Sequence, residues 1–224
     1  MDLDALISAL PQLADGLKIT LGLTIASLII ASILGILMAM GRSYAKPPLS
    51  LFIIAYEKVF RGIPLLVIFF LIYFGLGQIG INLEAFYAAI LGLALRSAAY
   101  QAQIFRSAIN SIPQGQTDAA LSIGMSKLKT IRHIVLPQIL RLSIPGWSNE
   151  FTIVLKDTSI AFGIGVIELM RQGRYIYVRN PELVLPVLLF IALIYFILVI
   201  STNRCLGYLE KKYKISGLEI GAVK

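Results

Sequence analysis

Uninterrupted apolar runs are what this chain must accommodate before anything else. From about residue 16 to 40 it reads G-L-K-I-T-L-G-L-T-I-A-S-L-I-I-A-S-I-L-G-I-L-M-A-M, with a single charge, Lys18, close enough to one end to snorkel to lipid headgroups. Comparable runs follow at about 49–76, 85–109, 138–164 and 181–209. Each is long enough for a membrane-spanning helix of ~20 residues. The chain is 58% hydrophobic and 14% charged, against ~25% charged in an ordinary soluble domain, so it lacks the polar surface to face water. These runs predict an all-α polytopic membrane protein of about five spans. A length of 224 residues leaves too little for an additional soluble domain of typical size, so residues 1–224 read as a single transmembrane unit.

Chemistry that needs clustered ligands is poorly served. Cys205 is the one cysteine and His133 the one histidine, which excludes an internal disulfide and gives no metal set. A net charge of +8 in so apolar a chain reports orientation and anionic lipid rather than nucleic acid. Arg42 and Lys46 follow the first span, Lys127, Lys129 and Arg132 lie between the third and fourth, and Lys211, Lys212 and Lys214 follow the fifth. With five spans these groups share one side, so the positive-inside rule predicts an external amino terminus and a cytoplasmic carboxyl terminus. Met1 to Asp15, with Asp2, Asp4 and Asp15 and no basic residue, reads as a short external or interfacial lead-in. Arg171, Arg174 and Arg179, in 166–180, run against the rule, as an interfacial helix or a charged external surface would, or as a span count one off from five would require.

Charges inside the spans need a reason. Glu57, Lys58 and Arg61 precede the kink-capable Gly62-Ile63-Pro64, and either snorkel or face a protein interior. Arg96 sits near the middle of the third span, where an arginine costs at least ~2.5 kcal/mol, so it is expected to face the bundle interior or a polar cavity. Tyr100, Gln101, Gln103 and Arg106 share that span, and Asn149, Glu150, Lys156 and Asp157 lie in the fourth.

Between those two spans runs the longest moderately polar segment, 110–137, a loop predicted to be cytoplasmic and too long to be a plain connection. Ser111-Ile112-Pro113 and Gln114-Gly115 read as a turn, and Thr117-Asp118 offers an N-cap ahead of Ala119, Ala120 and Leu121. Gly124 would close this short helix with a positive φ, and Ser126 can cap a second helix reaching Pro137. The tip, with Ala119, Ala120, Leu121, Ile123 and Met125, is small and apolar. It suits docking in a partner's groove, while Lys127, Lys129 and Arg132 equally suit a helix lying on anionic lipid.

The run Asp118-Ala119-Ala120, then Gly124, then Ile134, Leu136 and Pro137 resembles the E-A-A-x3-G-x9-I-x-L-P signature of the membrane subunits of ATP-binding-cassette (ABC) importers. R-G-I-P-L-L at Arg61 to Leu66, S-A-A-Y at Ser97 to Tyr100 and N-E-F-T-I-V-L-K-D-T-S at Asn149 to Ser159 are similar to the polar-amino-acid branch. Asp118 stands for the usual Glu, Ile63 for Thr, and Gln103 where many relatives carry Glu. The resemblance implies a type I importer permease (MetI-like) in the inner membrane of a prokaryote. It implies pairing with a second permease subunit, two cytoplasmic ATPases that carry ATP and Mg, and an extracytoplasmic binding protein that delivers a polar amino acid. On this reading the Asp118 to Met125 helix sits in a cleft of the ATPase, and no cofactor is bound by this chain. Arg96 and Glu150 are the proposed solute contacts, with a structural ion pair, or a Glu150 that braces the fold across the family, as the other reading. Tyr100, Trp147 and Asn149 line the path or simply pack, and Arg61, Lys156 and Asp157 hold a gate or brace the structure.

No G-x4-G-K-[ST] loop is present to hydrolyse ATP, nor H-E-x-x-H or G-x-S-x-G, so the chain reads as a transport component and not an enzyme. A channel would want a filter such as T-V-G-Y-G, and an intramembrane enzyme more than the isolated Glu150 and Asp157. A permease for another small solute, such as an opine or a quaternary amine, is the nearer alternative.

Overall fold

Proline and glycine positions decide where these apolar runs break. In the computed structural model, which describes residues 3–213, the fold is all-α, with no strand among the described residues. Lys214 and Asp2 lie outside that range. Helix α1, Leu3–Tyr44, takes up the lead-in as well as the first span, so the expected start near residue 16 is too late. At ~1.5 Å per residue its 42 residues reach about 63 Å, twice a ~30 Å hydrocarbon core. Its first turns therefore extend past any bilayer that its middle crosses.

The second run is not one rod. Helix α2, Pro47–Gly62, and helix α3, Leu65–Gln78, are bent by 106° at Ile63-Pro64. Proline disfavours the helical region for the residue before it, and Ile63 is extended at φ −93°, ψ 132°. A connection without Lys or Arg leads to α4, Ala85–Ser111. Its buried face is built of Ala88, Ala89, Ala94, Ala98, Ala99 and Ala102, small side chains that let α1 lie close along it.

The polar segment folds into α5, Gln114–Ser122, and α6, residues 127–142. Contrary to the expectation of a second helix reaching only to Pro137, α6 does not end there. A π-helical turn, Ile131–Val135, absorbs the missing N–H and the helix runs on to Leu142, already inside the fourth span. After Ser143, α7, Ile144–Asp157, begins with Pro145 in its first turn and passes into a 3-10 segment, Thr158–Ile164. Helix α8, Leu169–Arg179, lies across the start of α1, burying Leu169 and Ile176 with Ala9 and Leu13. Helix α9, Val184–Tyr213, completes the chain.

Ala9–Tyr44 and Pro181–Tyr213 are each long and apolar enough to cross a membrane, and the bent α2–α3 pair makes a third. Helices α4 and α7 are the ones loaded with polar groups, and they lie at the centre of the packing between α1, α3 and α9.

Helix α8 carries a buried acid that was not given a role from sequence. Glu168, 0% exposed, caps α8 by accepting hydrogen bonds from the backbone N–H groups of Met170 and Arg171, both 2.8 Å, and Tyr195 donates to it at 3.4 Å. Burial pushes its carboxyl from the ordinary 4.5 up to about 7, against those hydrogen bonds and the charge of Arg171. A raised carboxyl contributes stability that is complete below pH 4.5 and lost as pH rises through about 7. Thermal melts of the purified protein in neutral lipid discs should therefore show a loss of melting temperature across that window, and Glu168→Gln should remove that component of the slope. An unchanged slope would mean the group is not buried as described.

Candidate functional site

Two constructions stand out, a projecting hairpin of helices and a polar seam inside the bundle. The hairpin begins where Ile112, extended ahead of a proline, lets Pro113 cap α5. Thr117 and Asp118 consequently lie inside the helix and not at its cap. Asp118, Ala119, Leu121 and Gly124 are exposed, with Ile123 at 81% and Leu128 at 75%. Ala120 is buried and Met125 half-buried, so these two close the turn from inside, the Met125 N–H donating to the Ala120 carbonyl at 3.1 Å. Gly124 adopts φ +84°, the left-handed conformation that reverses the chain. Ser126 caps α6, accepting from the Lys129 N–H at 3.4 Å. One further bond fixes the angle of the hairpin: Gln138 donates to the Gln116 side chain at 2.7 Å. Pro137 is exposed on the outer face of α6.

The seam runs between α1, α2, α4 and α7. At its lower end Arg42 and the buried Glu57 form an ion pair that also takes a 3.3 Å hydrogen bond from Gln103. Of the three charges in α2, therefore, Glu57 faces the interior while Lys58 and Arg61 are exposed. Higher up, Arg96 donates to Asp157 at 2.6 Å. Its guanidinium lies 5.1 Å from the centroid of the Tyr100 ring, and so does that of Arg61. The anticipated Arg96–Glu150 ion pair is thus replaced by Arg96–Asp157. Lys156 is exposed and has no carboxylate within ion-pair distance among the described residues, and Asn149 is likewise exposed.

Glu150 is held by something else. Trp147 donates from its indole N–H to Ser32 Oγ at 3.0 Å, Ser32 donates to Gln101 Oε1 at 2.9 Å, Gln101 donates to Ser97 Oγ at 3.2 Å, and Ser97 donates to Glu150 Oε1 at 2.7 Å. The chain of bonds leaves α7 at Trp147, crosses α1 and α4, and returns to α7 one turn on. Trp147 also lines an apolar crevice of about 260 Å³ with Ile36, Phe105, Leu140, Ser143 and Ile144. Ser32, Ser97 and Gln101 were not given roles from sequence. Their signal was polarity inside apolar runs, with Ser97 at the head of the S-A-A-Y run and Gln101 one helical turn on, and nothing marked Ser32 as their partner.

The family model described as "Binding-protein-dependent transport system inner membrane component" matches residues 31–215. The chain belongs to that family. It is therefore a membrane permease component of an importer, a part that works with an ATPase, a binding protein and a second permease and is not itself an enzyme. Within the family it is 42% identical over 203 residues to the probable amino-acid permease protein YxeN of Bacillus subtilis, covering 89% of this chain and 90% of that one. It is 33% identical over 216 residues to the glutamine transport system permease protein GlnP of Escherichia coli, covering 96% and 98%. The solved structure of an amino acid ABC transporter with histidines superposes with a TM-score of 0.86 at 33% identity, covering 95% of this chain and 99% of that one.

Proposed function

We propose that this permease moves a polar amino acid inward by alternating access, driven by ATP hydrolysis in the cytoplasmic partner. The observation that carries the reading is the likeness over nearly the whole chain to a solved amino acid ABC transporter, with the signature residues Asp118 to Pro137 folded as one hairpin whose tip is exposed. Five crossings, by α1, the α2–α3 pair, α4, the α6–α7 arm and α9, put the amino terminus outside and the hairpin and carboxyl terminus inside. The exposed face of Asp118, Ala119, Leu121 and Ile123 docks in a cleft of the ATPase, and α6 carries the movement into α7 without a break at Pro137.

The solute passes beside Arg96, Tyr100 and Glu150, an arrangement that offers opposite charges to a carboxylate and an ammonium. Arg61 and the Arg96–Asp157 pair border that route and hold it closed. Trp147 stands behind Glu150 rather than beside the solute. Reconstitution with the cognate ATPase and binding protein, and a panel of amino acids, opines and quaternary amines, tests the reading. Polar amino acids should stimulate ATP hydrolysis severalfold and accumulate in the vesicles. Stimulation by a quaternary amine alone, or solute flux without ATP, would replace it.

A further inference from the structure

The bond sequence from Trp147 to Glu150 has only one possible direction. An indole N–H only donates and a carboxylate only accepts, so each group between them must accept on the Trp147 side and donate on the Glu150 side. Serine does this with one hydroxyl, and the carboxamide of Gln101 does it with its two ends, accepting from Ser32 and donating to Ser97. Gln101 is 0% exposed, Ser97 1% and Glu150 3%. An unpaired group in such a place carries the full cost of its lost hydration. A Cβ on Gly35 of α1 would lie 2.8 Å from the Gln101 Cβ, so the backbone of α1 presses on its stem.

We propose that Gln101 is a positioning residue for transport: without access to the solute, it sets the place of the Glu150 carboxylate through Ser97 and locks the first turn of α7 to α1 through Ser32 and Trp147. This rests on the reading that Glu150 meets the solute. The device sits where it matters mechanically, because Trp147 and Glu150 follow directly on the Ser143 break at which the hairpin's arm becomes α7. A rocking arm would otherwise drag Glu150 with it. Held across two other helices, the carboxylate keeps its distance from the Arg96–Asp157 pair on the same seam.

Three variants in proteoliposomes with ATPase and binding protein test this. Gln101→Leu removes both bonds, and the solute concentration for half-maximal ATPase stimulation should rise about tenfold with the maximal rate within about twofold. Gln101→Glu distinguishes positioning from packing. Its carboxylate only accepts, but its carboxylic acid accepts and donates as the amide does, so half-saturation should move back toward the parent value as pH falls from 8 to 5.5, measured relative to the parent at each pH. The charged groups bearing on that titration are Glu150 beyond Ser97, the Arg96–Asp157 pair on the α4–α7 seam, and Arg42 with Glu57 from α1 and α2. Trp147, the one tryptophan, reports the far end: its emission should shift in Gln101→Leu and recover at low pH in Gln101→Glu. A half-saturation unchanged in Gln101→Leu, or a Gln101→Glu response that runs parallel to the parent at every pH, overturns the positioning role. If Glu150→Gln also leaves half-saturation unchanged, the solute-contact reading falls, and the positioning role with it.

Discussion

Gly124→Pro should leave the permease folded in the membrane while solute no longer stimulates ATP hydrolysis. Gly124 stands at φ +84° between α5 and α6, and a proline is fixed near −65°, so the reversal cannot form as observed. Nothing lies within 4 Å of where a side chain would begin, so the effect is one of backbone direction and not of packing. The helices that cross the membrane do not depend on this turn, and yield and melting of the purified protein should stay close to the parent. The hairpin, however, would splay. Ile123 and Leu121 would leave the face they share with Asp118 and Ala119, and the Gln116–Gln138 bond at 2.7 Å would be lost. Gly124→Ala is the graded control, since a left-handed alanine costs about 1–2 kcal/mol and leaves coupling reduced rather than absent. Full coupling in the proline variant, read as solute-stimulated ATPase in vesicles, would remove the hairpin from the path of energy transfer.

Arg96→Ala should destabilise the protein and stop transport together. Arg96 and Asp157 are each 22% exposed in their side chains and bonded at 2.6 Å, and removing one partner strands the other in a membrane segment. Breaking such a pair costs about 3–5 kcal/mol, whereas replacing both members by apolar residues is often neutral. The cation over the Tyr100 ring goes too, although Arg61 at 5.1 Å keeps one of the two. The double variant Arg96→Leu with Asp157→Leu should thus regain most of the melting temperature and still fail to transport. A double variant that transports normally would reduce the pair to scaffolding. A single variant as stable as the parent would mean that Asp157 has a second cation, and exposed Lys156 is the neighbour to examine.

Much of this was legible in the chain. The Ile63-Pro64 break followed from one proline rule, although nothing local gave the 106° by which α3 turns from α2. Gly124 took the positive φ its spacing called for, and Ser126 the cap. Local rules misplaced two boundaries. Pro113 started α5 ahead of Asp118, and α6 passed Pro137 because a π-turn relieved the missing donor. The length of α1 was underestimated because residues before 16 are too polar for a membrane, while α8 supplied them with a protein surface instead.

The site divides in the same way. Hydropathy alone made this an all-helical membrane chain, and the cost of a charge in lipid alone required Arg96 to have company. Which company it keeps was decided by tertiary structure, because Asp157 lies 61 positions away and Glu150, seven residues before it, points at Ser97 instead. Ser32, Gln101 and Trp147 meet from three helices for the same reason. Periodicity tells which face of a helix is wet or dry, but the partner on the facing helix is set by the rotation and depth at which two helices pack. Those are fixed by where Gly35 and the alanines of α4 allow close approach, a property of pairs of helices that no single stretch of sequence contains.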